Sequence, residues 1–474
     1  MNFNFNREEI VGNIKKLNYK DLIIFLIPFI IFMYYLYIFN PGILTFDSYY
    51  QLNQIANNHF NNWHPFFHTF IEMICLKIYP NTKSICILQI LVFSIIWMVI
   101  CKYHRDDNEK PKHFIIQVIL TLIISLIPIN AIYSITLWKD ILFSYFLLLA
   151  CFLIEVLIDK NNYVSYLFII IFSLTMAFIC QLRPNGLIII SVLLVFLAVY
   201  LFKKNRNNKF YILIPALTII FILMISSLNV AYDVDDTQKD VIFDKTGHIL
   251  AFYDLNINMT DDDRHKVHEM VSKKDMKHFN IYSTDSIYAY SNKSAYDADK
   301  NSYIQLTVKY SLQNPLKFLE YILESSNMVF DITRDDDWKG SVYKINLESS
   351  KDSFYEQFNT TPTTTYDNVS SKNIGTPEFK NLKSYAYYFK DNIILDTLFD
   401  SPAFYMYLSF IILGLLFIIT RCKEIFLIYL PCLLNIITII ASTPYQGNRY
   451  LYPNLLVFYL FVMILIRVLT SVKS

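Results

Sequence analysis

The sequence predicts a polytopic α-helical membrane protein with about ten transmembrane helices. Its 474 residues are 54% hydrophobic and only 17% charged, more apolar surface than the core of an ordinary soluble domain can bury. Apolar runs long enough to cross ~30 Å of hydrocarbon recur along the chain. Lysine and arginine cluster at particular connections and so suggest an orientation.

The apolar runs fall at about residues 21–39, 84–101, 113–129, 140–158, 163–181, 186–202, 210–229, 403–420, 424–441 and 452–468. The first is too long and aromatic, and too poor in small residues before a cut site, for a cleaved signal peptide, so it is kept as a permanent helix. A net charge of +1 with no concentrated basic face excludes a nucleic-acid binder. The seven cysteines lie in or beside apolar segments, so neither a disulfide framework nor a cysteine zinc site is readable.

The basic groups are Arg7, Lys15, Lys16 and Lys20, then Lys102, Arg105, Lys110 and Lys112, the run KKNRNNK at 203–209, and Arg467 with Lys473. They share one side, the cytoplasmic one, only if segment 64–80 does not cross. That segment is short and carries His64, His68, Glu72 and Lys77, all costly in hydrocarbon. The expectation is therefore two juxtamembrane helices, Asp47–Asn58 and His64–Tyr79, in a first external loop over 40–83, with both termini cytoplasmic. Asp47, Gln51, Gln54 and Asn58 share one helical face. Phe67, Phe70, Ile71, Ile74 and Ile78 form a stripe opposite His64, His68 and Glu72. Pro65 suits a first helical turn.

Three regions follow: a transmembrane module over 1–229 that includes the loop, an extracytoplasmic mixed α/β domain over 230–402 between helices seven and eight, and a C-terminal transmembrane module over 403–474. Within 230–402 a helix is expected over about 303–330, kinked near Pro315, and a Thr-, Ser- and Asn-rich linker over about 357–375. TRDDDWKG at 333–340 reads as a solvated loop.

The ionisable groups on the outer side are few, and each has a plain structural role to compete with. Asp47 reads as a general base or as a helix cap, with Thr45 and Ser48 as rival caps. His64 and His68, spaced i,i+4, suit phosphate contacts, packing, or a metal pair that Glu72 alone would complete. Lys139 with Asp140 in TLWKDIL, Arg183 in QLRPNG and Arg449 in PYQGNRYLYP lie at the ends of different spans. The cations suit an anion or snorkelling to headgroups. Tyr445, Gln446 and Asn448 add polar groups at the same level.

This arrangement resembles the GT-C superfamily of membrane glycosyltransferases. The likeness rests on a first helix, a long external loop opening with an acid (FDSYYQ, then WHPFFHT), further spans, a lone arginine in RPNG at a span end, and an extracytoplasmic domain after helix seven. In detail it is similar to bacterial members with a D-S-Y-x-Q, H-P-x-x-H and W-K-D pattern. The resemblance implies transfer of a sugar from a polyprenyl-phosphate carrier to an extracytoplasmic glycan, lipid or protein, at the face of the bilayer. Asp47 would be the catalytic acid of the first loop. Lys139, Arg183 and Arg449 would contact phosphate, with His64, His68, Asp140, Tyr445, Gln446 and Asn448 as further substrate contacts. Many members carry two adjacent acids where this chain has Asp47 followed by Ser48. No metal ligand set is therefore assigned, no cofactor is certain, and a divalent metal stays open. A transporter or flippase of a lipid-linked saccharide is the alternative.

Overall fold

The computed structural model describes residues 17–105, 112–159, 165–204, 210–332, 376–442 and 447–471. The expected apolar runs all form helices. They are α1 (Tyr19–Ile38), α4 (Lys83–Tyr103), α5 (Lys112–Leu126), α7 (Lys139–Asp159), α8 (Tyr166–Leu182), α9 (Pro184–Lys204), α10 (Phe210–Ala231), α20 (Pro402–Thr420), α21 (Phe426–Ser442) and α22 (Tyr452–Ser471). Among the described residues eight helices are long and apolar enough to cross a membrane. Leu223, Met224 and Val195 stay more than half exposed along them, as lipid contact requires and water does not favour. The chain is a multi-pass membrane protein.

The other two apolar runs differ in detail. Residues 113–134 form α5 and α6 (Pro128–Ser134), bent by 68°. Pro128 at the start of α6 keeps Ile127 extended (ψ 119°), which breaks the helix there. The remaining run, α8, has 17 residues and packs against α7, α9 and α10.

The segment read as non-crossing forms α2 (Phe46–Asn57) and α3 (Phe66–Ile78). At 13 residues α3 is about 20 Å long, too short to span. His68 and Glu72 are fully buried alongside Phe66, Phe67, Met73 and Leu76, whereas Ile78 is 80% exposed and Ile74 41%. An apolar stripe left outward and a polar stripe turned inward is the pattern of a helix resting against lipid.

Contacts among described residues divide the chain into two units. The larger takes everything up to 237, 341–435 and 449–474; the smaller takes 238–340 and 436–448. In the larger, α18 (Pro377–Asp391) and α19 (Ile393–Asp400) precede α20. Phe379 of α18 meets Phe39 edge-on, and Tyr385 donates to the Leu126 carbonyl at 3.2 Å, so this stretch of the region read as a soluble domain lies on the bundle.

In the smaller unit, α11 (Val241–Asn256) is surrounded by α12 (Asp261–Met270), α13 (Asp285–Tyr288), α14 (Lys293–Ala298), α15 (Lys300–Gln313), α16 (Pro315–Ser325) and α17 (Asn327–Phe330). The expected kink near Pro315 is the break between α15 and α16 at Asn314. No strand occurs among the described residues; only two isolated bridges do. The strand-like stretches expected here are helical instead. Tyr303 and Tyr310, seven apart on α15, are buried on one helical face, and Tyr296 is buried from α14. The segment 333–340, the linker at 357–375 and the basic residues Arg7, Lys15, Lys16, Lys110, Arg206, Lys209 and Lys473 lie outside the described residues.

Candidate functional site

One end of the larger unit gathers most of the ionisable residues singled out above. The chain enters α2 through Gly42, whose φ of +118° favours glycine and where a Cβ would stand 2.5 Å from Cys86 Sγ. Ile43 then pairs with the segment before α7: its N–H donates to the Ile135 carbonyl at 2.8 Å, and its carbonyl accepts from Leu137 at 3.1 Å. The Ser48 hydroxyl donates to the Leu137 carbonyl at 2.8 Å, and the Trp138 indole donates to Thr45 Oγ1 at 2.7 Å. Thr45 is the N-cap residue and Ser48 accepts its backbone N–H, so Asp47 is not spent on capping. The start of α2 is thereby registered against the start of α7, which carries Lys139 and Asp140.

Arg183 arrives by a different device. Pro184 opens α9 and holds Arg183 extended (φ −145°, ψ 142°) after α8. A Cβ at Gly186 would run into the Ile179 carbonyl, so only glycine lets α9 fold back this tightly. Arg449 lies in a short 3-10 turn (Asn448–Leu451) before α22. Its neighbour Tyr450 is held through its carbonyl by Asn435 Nδ2 at 3.0 Å, and Asn435 Oδ1 accepts from Asn185 at 3.2 Å.

The resulting cluster is continuous. Arg449 Nη1 lies 2.9 Å from Asp47 Oδ2, and Arg449 Nε lies 3.5 Å from Asp140 Oδ2. Arg183 Nε lies 3.1 Å from Asp140 Oδ1. Lys139 Nζ donates to His64 Nδ1 at 2.6 Å, which leaves the ring proton on Nε2, 3.9 Å from Asp47 Oδ1. Arg449 stacks over Trp138 at 4.5 Å, and Arg183 over Tyr450 at 4.7 Å. Aromatic faces thus take the flat sides of both guanidinium groups and leave their edges for polar partners.

Burial raises the Asp47 carboxyl, but Arg449, Lys139 and His64 outweigh it and hold the group below the usual carboxylate range. Burial, with Lys139 adding to it, pushes the His64 imidazole down to about 3. His64 is therefore neutral near pH 7. Three formal cations (Lys139, Arg183, Arg449) face two carboxylates (Asp47, Asp140), a net of 3 − 2 = +1. Arg183 Nη1 is buried without a hydrogen-bond partner among the described residues, while Arg183 Nε and both Asp140 oxygens are held by the ion pairs rather than by well-aligned hydrogen bonds, and such groups are costly to leave unmade. The side chain of Asp47 is 22% exposed, the most open carboxylate of the group.

His68 belongs to an inner layer. Gln51 Nε2 lies 3.1 Å from His68 Nδ1 and donates to Thr69 Oγ1 at 2.9 Å. Burial pushes His68 down to about 3 and lifts Glu72, 3.6 Å from it, well above the usual carboxylate range. His68 is thus neutral near pH 7, and the same burial favours the neutral form of Glu72. Asn448 is buried; Tyr445 and Gln446 lie outside the described residues. No group of three or more His, Cys, Asp or Glu arranged to hold a metal is present among the described residues; Asp47 and Asp140 face arginines instead. The snorkelling role weighed for Arg183 and Arg449 does not describe them, since both are largely buried against carboxylates.

Sequence reasoning did not single out Trp138 or Tyr450. Trp138 was flagged only by its place in the W-K-D pattern, and Tyr450 only by adjacency to Arg449. Comparison of the chain with family models, curated proteins and solved structures finds no match.

Proposed function

We propose that the chain is a membrane glycosyltransferase, similar in design to the GT-C superfamily, that moves a sugar from a polyprenyl-phosphate carrier to an extracytoplasmic acceptor. The observation that carries the reading is one cluster in which Asp47 pairs with Arg449 beside Lys139, Arg183 and Asp140, three formal cations to two carboxylates, with Arg183 Nη1 left without a hydrogen-bond partner among the described residues. Such a site suits a phosphate at the end of a helical bundle, with the lipid tail between spans.

The acceptor hydroxyl attacks the anomeric carbon, the bond from that carbon to phosphate oxygen breaks, and its electron pair leaves on the phosphate. Asp47 takes the hydroxyl proton. A phosphate needs no protonation to leave, so a single carboxylate suffices, and single displacement inverts the anomeric centre. In the free protein Arg449 weakens Asp47 as a base. A bound phosphate drawing Arg449 and Lys139 toward itself raises the basicity of Asp47, so donor binding precedes proton abstraction.

The transporter alternative calls for ionisable groups near mid-span. The cluster instead lies in the first turn of α7, at the end of α8 and before α22. The test is binding of undecaprenyl phosphate to the purified full chain in nanodiscs. Saturable binding that weakens in both Arg183→Ala and Arg449→Ala supports the reading; equal affinity in wild type and both variants refutes it.

A further inference from the structure

The smaller unit carries an apolar ridge that its own core does not use. On α16, Tyr321 is buried in the core and Phe318 and Ile322 pack against it, while Leu316, Leu319 and Leu323 point outward at 79, 52 and 45% exposure. Leu312, at the end of α15, is 76% exposed and Val308, a turn earlier, 50%. Val308 and Leu312 lie one turn apart on α15, and Leu316, Leu319 and Leu323 lie on successive turns of α16, beyond the break at Asn314. Isolated exposed leucines need no explanation, but an aliphatic row of this length on a soluble surface does.

We infer that this face of α15 and α16 rests in the surface of the bilayer that the spans cross, as an interfacial element rather than a span. At 11 residues, α16 is too short to cross. The row is purely aliphatic, without the aromatic and arginine anchors that mark protein interfaces. Lys309 and Lys317 beside it are 44 and 40% exposed at their side chains and pair with Asp263 at 2.6 Å and Glu320 at 2.9 Å, a charged border of the kind that flanks an interfacial apolar face.

Connectivity favours the same surface. Span α10 ends at Ala231, and Asp235 is pinned beside it: its N–H donates to the Phe60 carbonyl at 2.9 Å, and its carbonyl accepts from Asn62 at 3.0 Å. The smaller unit begins at Gln238, about 24 Å of extended chain at most from the end of the span. The residues at 333–375 are rich in Ser, Thr, Asn and Asp and contain no apolar run to match five aliphatic positions. This inference does not depend on the functional reading.

The test uses the full chain in phosphatidylcholine–phosphatidylglycerol nanodiscs. Six of the seven cysteines are buried and Cys422 is half-buried, so Cys422→Ser is the background. Leu316→Cys, Leu319→Cys and Leu323→Cys carry nitroxide labels singly, with Asp262→Cys as the water-exposed reference. The ratio of oxygen to nickel-chelate collisions should be several-fold higher at the three leucine positions than at 262. A ratio equal to that at 262 places the ridge in water and overturns the proposal. Suppression of both collisions also overturns it, since the ridge is then covered by protein, either residues 333–375 or a second copy. Three separate labels keep the test decisive should one variant fail to fold.

Discussion

Replacing Asp47 by asparagine separates a catalytic role from a charge-balancing one. The change keeps the shape and removes the charge that faces Arg449 at 2.9 Å. Arg449 retains Asp140 at 3.5 Å, so the cation is not left stranded. The side chains of Asp47 and Arg449 are only 22 and 16% exposed, but because Arg449 keeps Asp140 and the asparagine oxygen can still accept from it, the loss stays below the roughly 3–5 kcal/mol of stranding a buried charge. The thermal midpoint of Asp47→Asn should therefore stay within a few degrees of wild type. A lost general base costs roughly 10²- to 10⁴-fold in rate, or about 3–5.5 kcal/mol of barrier.

The assay is single-turnover transfer by the reconstituted full chain, using the lipid-linked sugar that accumulates when the gene is deleted. Catalysis predicts the large rate loss with little change in melting. Charge balance alone predicts the reverse, a lower melting point with turnover largely kept. Turnover of Asp47→Asn within about threefold of wild type is incompatible with the base, since even the smallest expected effect is ~100-fold. The pH profile adds a second check. Because Asp47 is held below the usual carboxylate range, kcat/KM of the free protein should show no Asp47 limb near pH 4.

Arg183→Lys keeps the charge but loses the fork and the stack on Tyr450, so affinity for a prenyl phosphate should fall at least ~10-fold, measured by titration in nanodiscs. Gly186→Ala should lower the thermal midpoint and disturb donor binding together, because the Cβ has no space against the Ile179 carbonyl; an unchanged melt refutes that. Glu72→Gln should melt like wild type, since burial already favours the neutral form of Glu72; a large drop would mean the group is ionised. His64 and His68 have folded pKa values near 3 against 6.5, so their stabilising contribution is complete above pH 6.5 and lost as pH falls toward 3. By pH 5 each costs about 2 kcal/mol, and thermal melts at pH 7 and pH 5 should differ accordingly.

How much of this was legible before the structure depends on the residue. Asp47, His64, Lys139, Asp140, Arg183 and Arg449 could be picked out because charged groups at the ends of apolar runs are rare, and rarity is visible in a sequence. That they meet is a tertiary fact, set by Gly42, Gly186 and the Ile43–Ile135 pairing, whose close approaches leave no periodic signal. Trp138 and Tyr450 were hidden because the chain is 17% aromatic. The period of α3 was readable, but not which stripe faces inward, because a helix against lipid and a helix against water share one pattern. In the smaller unit the expected strands are not found among the described residues, where Tyr303 and Tyr310 sit seven apart on one face of α15.

The opposite end of the same bundle supplies a comparison that sharpens the functional reading. There Asp21 pairs with Arg105 and, at 3.4 Å, with Lys102; Arg467 reaches Asp159 at 2.6 Å and Glu155 at 3.6 Å, and His104 binds Glu155 at 2.9 Å. Among the described residues three cations meet three carboxylates in these pairs, which join α1, α4, α7 and α22, so the pairs are matched in charge and tie helices together. Both ends are built on α7, from Lys139 and Asp140 at one terminus and Glu155 and Asp159 at the other. A purely structural cluster at the Asp47 end would be expected to balance in the same way. Its surplus positive charge and the buried Arg183 Nη1 donor instead favour an anion as the missing partner.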